Sequence, residues 1–209
     1  EILTCDWSSD VCSSDLQIQL GSQEFGAGQA SNVEGDSPVS SSIQYLALSS
    51  TFKHYQDMPF QLPDLTQTPR LQHFVTQLDD VLKRTEVEAD ILQRSTVLLK
   101  QLIQQDDWLP DIYAKPHPER YQQFLLYADP DDRFSVVSFV WGPGQSTPIH
   151  DHTVWGLVGI LRGAELCQPF VKDAKGHWLA SNAQKRLEVG EVEAVSPHIG
   201  DVHRVWNAL

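Results

Sequence analysis

Three histidines set in a pattern of glycines constrain this chain more than any other feature. Gly144 is followed after five residues by His150, after one more by His152, after three by Gly156 and after six by Gly163. Downstream, Gly200 is followed after two residues by His203 and after three more by Asn207. In a strand, residues i and i+2 face the same side, so His150 and His152 point together and Asp151 between them points away. A third imidazole, His203, arriving from a neighbouring strand completes a facial set of ligands for one divalent transition metal. An isolated His-x-His is weak evidence, because two histidines on one strand are usually solvated surface. The flanking glycines, the apolar run that follows and the second Gly-x-x-His-x-x-x-Asn make metal binding the stronger reading here. Imidazole suits Fe, Ni, Cu or Zn.

The surrounding sequence says what scaffold carries these residues. Thr68-Pro69 opens a helix, with a hydroxyl at the cap and Pro at the first helical position, and Leu71, Phe74, Val75, Leu78, Val81 and Leu82 share one face. A second helical pattern runs over residues 86–105 through Ile91, Leu92, Leu98, Leu99, Leu102 and Ile103. From Tyr121 onward the texture changes to short β-branched and aromatic runs separated by Gly, Pro and Asp. Strands are predicted at 122–127, 134–141, 154–161, 165–171, 178–189, 193–195 and 202–207. Turn clusters lie at Asp129-Pro130-Asp131-Asp132 and Lys172-Asp173-Ala174-Lys175-Gly176. Short strands behind two helices predict a mainly β protein, a double-sheet jelly roll with an N-terminal helical lobe.

Residues 1–67, rich in Ser, Gln, Gly and Asp and without a sustained period, read as a tail or linker, and residues 68–209 as one domain. The run at residues 6–16 resembles the translation of a sequencing adapter, and the chain lacks an initiator Met. A formal charge of −13 argues against a nucleic-acid or anionic-membrane partner, either of which would need a basic face. No run reaches the roughly 18 apolar residues of a membrane span, which predicts a cytoplasmic protein. Three cysteines without CxxC spacing indicate free thiols. Nothing in the sequence sets an oligomeric state.

The block at residues 134–157, with Gly163-Ala164-Glu165 and Gly200-Asp201-Val202-His203-Arg204, resembles the thiol dioxygenases of the cysteine dioxygenase type, specifically their bacterial branch. The histidine spacings match the two cupin motifs, so the resemblance implies a cupin double-stranded β-helix. It also implies a mononuclear Fe(II) enzyme that binds a small thiol and adds both atoms of O2 to give a sulfinic acid, with His150, His152 and His203 as ligands. The departure from the general cupin pattern is Gly156, which stands where the first motif usually has a carboxylate. Three neutral ligands leave the full charge on the metal, which favours a substrate that arrives as a thiolate.

Within the family the residue facing the substrate carboxylate is Arg in cysteine dioxygenases and Gln in enzymes resembling 3-mercaptopropionate dioxygenase. Gln123 is the match here, while Arg120 and Arg133 are nearby competitors assigned to turns. Residues 153–163 lack the Cys that cross-links to Tyr in animal-type enzymes, and Cys167 is expected in the core. Glu165 is read as a solvated face, His198 as a surface loop, and Trp141, Trp155 and Trp206 as core. The resemblance places a Ser-His-Tyr set on a strand beyond the third ligand, past Leu209, so a gene cut short is the expectation. The rival reading is a non-catalytic cupin that binds metal or a small ligand.

Overall fold

The computed structural model describes residues 40–47 and 63–209. The expectations for the rest of the tail, including the adapter-like run, lie outside the described residues. Helix α1 (Pro69–Arg84) begins where Pro69 supplies a preset φ and loses no hydrogen bond, and it buries Leu71, Phe74, Val75 and Leu78. The expected hydroxyl cap does not form. Thr68 sits at φ −127°, ψ 66°, off the extended cap conformation, and its hydroxyl donates instead to the Asp64 carbonyl at 3.3 Å. Helix α2 (Glu88–Ile103) has Glu88 and Asp90 in its first turn and Lys100 in its last, the charge order that suits its dipole. It buries Ile91, Ser95, Leu99, Leu102 and Ile103.

Nine strands follow the chain as β1 (Ser40–Ala47), β2 (Gln122–Ala128), β3 (Phe134–Trp141), β4 (Gly156–Arg162), β5 (Ala164–Lys172), β6 (Trp178–Ala180), β7 (Lys185–Glu188), β8 (Val192–Val195) and β9 (His203–Asn207) among the described residues. One sheet runs β2-β3-β1-β4-β8; in the other, β5 pairs with β6, β7 and β9. Every pairing is antiparallel. Among the described residues the ladders form two sheets and do not close into one barrel.

Two sequence expectations need correction. Residues 40–47 do not belong to a tail, since β1 lies between β3 and β4 in the middle of its sheet. Its sequence opens with three serines, which hides a central strand from a hydrophobicity reading. The single strand expected over 178–189 is two, with β6 on the far end of β5 and β7 on the near end. Between them the Ser181 hydroxyl accepts from the Ala183 amide at 3.1 Å, a local turn that competes with the ladder.

Strand alternation divides the two faces of the large sheet. Phe124, Leu126, Phe134, Val136, Val140, Leu157 and Leu161 join the helices in one core. Gly159 lets α2 approach closely: a Cβ there would lie 3.0 Å from Ile103 and 3.1 Å from Leu99. The alternate residues Gln123, Phe139, Trp141 and Val158 therefore face the other way, into a pocket.

The turn between β2 and β3 is tied to α1 by charge. Arg133 donates to the Asp129 carboxylate at 2.8 Å and to Asp79 at 2.6 Å, and the Asp129 side chain is buried. Arg133 thus serves structure, and neither it nor Arg120 lines the pocket. Arg133→Gln is expected to lower unfolding free energy by about 1–2 kcal/mol, because it leaves a buried carboxylate poorly paired. Hydrogen bonds from Lys83 and Arg133 hold the Asp79 carboxyl below its usual range. A depressed carboxylate contributes stability above its unfolded pKa and loses it as pH falls through the folded one. Urea midpoints measured from pH 6 down through the acid limb should therefore fall further for the wild type than for Arg133→Gln.

Candidate metal centre

The three histidines reach one point from two directions, and the local structure differs from the one expected. His150 and His152 do not lie in a regular strand. They sit in an irregular segment before β4, where His150 forms an isolated bridge with His203 at the start of β9. The His150 amide donates to the His203 carbonyl at 2.9 Å, and the His203 amide returns the bond at 2.8 Å. This closed pair puts the two side chains on the same side of the backbone. His152 follows with 5% of its surface exposed. Ring centroids are 4.6 Å apart for His150–His203, 5.1 Å for His150–His152 and 5.2 Å for His152–His203.

One candidate ligand atom from each ring lies within 4.8 Å of the others. The His150 and His203 Nε2 atoms are 3.1 Å apart. An ion about 2.1 Å from each nitrogen would place neighbouring donors roughly 3 Å apart, so this pair already has ligand spacing. Burial depresses both rings: His150 falls to about 4, with the neighbouring His152 adding to the effect, and His203 to about 2, with His150 and His152 adding. Neutral imidazoles are what a cation needs.

Each ring is held from behind by a different partner. His150 Nδ1 faces the Pro148 carbonyl at 3.1 Å, and His152 Nδ1 faces the Asp201 carboxylate at 2.8 Å. A carbonyl and a carboxylate can only accept, so both rings carry their proton on Nδ1 and turn the Nε2 lone pair inward. Gly200, at φ +69°, makes the turn that delivers Asp201. His203 Nδ1 lies 3.4 Å from the Cys167 sulfur. The donor set of three convergent imidazole nitrogens fits a divalent transition metal and includes no carboxylate.

The pocket beside the histidines brings in Tyr121, Gln123, Phe139, Trp141, Glu165 and Cys167. Gln123, singled out from the sequence, lies in this wall, and its Oε1 is buried without a hydrogen-bond partner. Glu165 corrects the sequence reading: it is 2% exposed and lines the pocket instead of facing solvent. Its spacing of two from Cys167 on β5 puts both on the inner face. Cys167 is buried, as expected, but at the site, and burial pushes its thiol up to about 12.

His198 is an exposed loop residue that faces Glu88 at 2.8 Å. Asp201, Cys167 and Glu165 were the functional-site residues that sequence reasoning missed. A signal existed for Asp201, since a carboxylate two residues from a candidate ligand in extended chain is well placed to hold an imidazole.

Residues 62–208 match the family described as cysteine dioxygenase type I. The chain belongs to that family. It is therefore a cupin of the thiol dioxygenase class, with a three-histidine metal-binding site. A cysteine dioxygenase family member uses O2 and a substrate, and among the described residues the pocket lining contains no Arg or Lys that would pair with an anion. No helix among the described residues is long and apolar enough to cross a membrane.

Proposed function

We propose that this chain oxidises a small thiol carboxylate, 3-mercaptopropionate or cysteine, to its sulfinic acid, adding both atoms of one O2 to sulfur. His150, His152 and His203 hold Fe(II), Gln123 faces the substrate carboxylate, and the chain sits in the bacterial branch resembling 3-mercaptopropionate dioxygenase. Residues 68–209 form the catalytic unit on a cupin jelly roll. The observation that carries the reading is the donor set: three imidazole nitrogens converging beside a pocket that Gln123 also lines.

Fe(II) bound there would supply Lewis acidity toward the thiol and a route for electrons from the sulfur, which is the reductant, to O2. The protein's own part is positioning. Three imidazoles would fix the ion, and Phe139, Trp141 and Val158 give the pocket an apolar wall that limits water. The Gln123 amide, rotated to present its NH2, donates to a carboxylate without the charged fork of Arg. Glu165 offers a carboxyl to the ammonium group that cysteine has and 3-mercaptopropionate lacks, which makes the pair of substrates informative.

The test is anaerobic addition of 3-mercaptopropionate, cysteine or cysteamine to iron-loaded protein, then O2, with sulfinate followed by mass spectrometry. Absence of sulfinate from all three thiols overturns the reading. Gln123→Ala is expected to raise KM for a thiol carboxylate about tenfold, the cost of one hydrogen bond to a charged group, with a smaller change for cysteamine. Equal changes for both thiols would remove Gln123 from the carboxylate role.

A further inference from the structure

The pocket wall contains two carboxylates, and they stand in different surroundings. Glu165 is enclosed at 2% exposure, while the Glu193 side chain keeps 24% and so stands where the pocket opens to solvent. Glu193 Oε1 accepts a hydrogen bond from the Lys185 ammonium at 2.5 Å. The partners come from different sheets. A turn at Gly190, φ +86°, joins β7 to β8, but β7 pairs with β5 and β8 with β4, so the two strands part as they leave it. Lys185 lies opposite Cys167 and Glu193 opposite Val158, and residues opposite each other in a ladder share a face. Cys167 and Val158 line the pocket, so both charged side chains leave inner faces and meet across the gap between the sheets. The next cation along β7, Arg186, cannot stand in for Lys185. It points to the opposite face, where it donates to Glu188 at 2.6 Å and to the Ala208 carbonyl at 3.0 Å.

An ion pair this open to water adds little to folding. Its charge matters more than its strength. With Lys185 in place Glu193 is balanced. With Lys185 gone, a bare carboxylate lines the way in, repelling an anion and attracting a cation. We propose that Lys185, by balancing Glu193, determines the charge class of thiol that the pocket admits: the intact pair admits a thiol carboxylate, and without the lysine preference passes to an aminothiol. The inference rests on reading the pocket as the seat of a small thiol. It places a specificity-determining pair at the entrance, on β7 and β8, apart from Gln123 on β2. Lys185 acts through Glu193 and contributes no group to the reacting atoms.

The experiment titrates the Co(II)-loaded full chain, without O2, with three thiols of similar size: anionic 3-mercaptopropionate, neutral 2-mercaptoethanol and cationic cysteamine. Binding is followed by the sulfur-to-cobalt absorption band, so no turnover is needed. Lys185→Met should bind 3-mercaptopropionate about tenfold more weakly and cysteamine about tenfold more tightly, the scale of one unbalanced charge at a partly screened site. 2-Mercaptoethanol should stay within about twofold, and both shifts should shrink in about 1 M NaCl. Lys185→Arg, which keeps the charge, and the double variant Lys185→Met with Glu193→Gln should hold the acid-to-amine ratio within about threefold of wild type. An unmoved ratio in Lys185→Met, three thiols weakened alike, or a double variant that keeps the single variant's ratio overturns the proposal while wild-type thiol binding stands. If Lys185→Met does not fold by circular dichroism, Glu193→Gln decides: it leaves the lysine charge unopposed and should raise the preference for the acid about tenfold, and an unmoved ratio overturns the proposal. Wild type that binds none of the three thiols overturns the thiol reading itself and this inference with it.

Discussion

His152→Ala is expected to abolish sulfinate formation and to weaken divalent-metal binding by on the order of 1,000-fold, the share of one ligand in a small nitrogen donor set. The expectation is larger here than for a site with redundant donors, because the cluster itself consists of three nitrogens. His152 is also the most enclosed of the three histidines at 5% exposure, so water fills its place poorly. The variant leaves Asp201 facing a small cavity, at a cost of about 1–3 kcal/mol in folding stability for the unpaired group. Circular dichroism and chelator competition on the same sample separate the two effects. A folded variant that binds Zn(II) as wild type does would remove His152 from the site.

The helices and most strands were legible because their apolar periods are long and regular. The stripe through Leu71, Phe74, Val75 and Leu78 and the run of β3 appear in the structure where the periodicity put them. The metal histidines were legible for a different reason, the fixed spacing of glycines and imidazoles, and that spacing survived a mistaken local picture. His150 and His152 converge through a two-bond bridge to β9 in irregular chain, and not through strand alternation. What could not be read was whatever depends on pairing between distant segments. β1 has too little apolar character to announce itself, and its place between β3 and β4 is a tertiary choice. Glu165 looked like a solvated residue because a buried carboxyl is the exception in any sequence. Cys167 looked like core because its contact with His203 is set by the register of β5 on β9, which no local pattern encodes.

Asp201→Asn carries the second large expected effect, a 10–100-fold loss of metal affinity with little change in the fold. The reason lies in how unequally the three rings are anchored. His150 and His203 are joined by a mutual pair of backbone hydrogen bonds, so the main chain beneath their rings is fixed without a side chain. His152 has no such bridge, and the Asp201 carboxylate at 2.8 Å fixes both its orientation and the nitrogen that bears the proton. An amide of the same size can accept through its oxygen as a weaker partner, or turn its NH2 to the ring. In the second arrangement the His152 proton is driven to Nε2, which then has no lone pair for the ion. The loss should therefore appear in Zn(II) affinity and in the iron needed to saturate the enzyme. At saturating iron KM for the thiol should be nearly unchanged, because Asp201 is not in the pocket wall. This separates it from Gln123→Ala, whose effect is expected in KM with metal affinity intact. Unaltered Zn(II) affinity in folded Asp201→Asn would mean that the ring of His152 is held by its packing alone, and that the carboxylate behind it does not govern the metal.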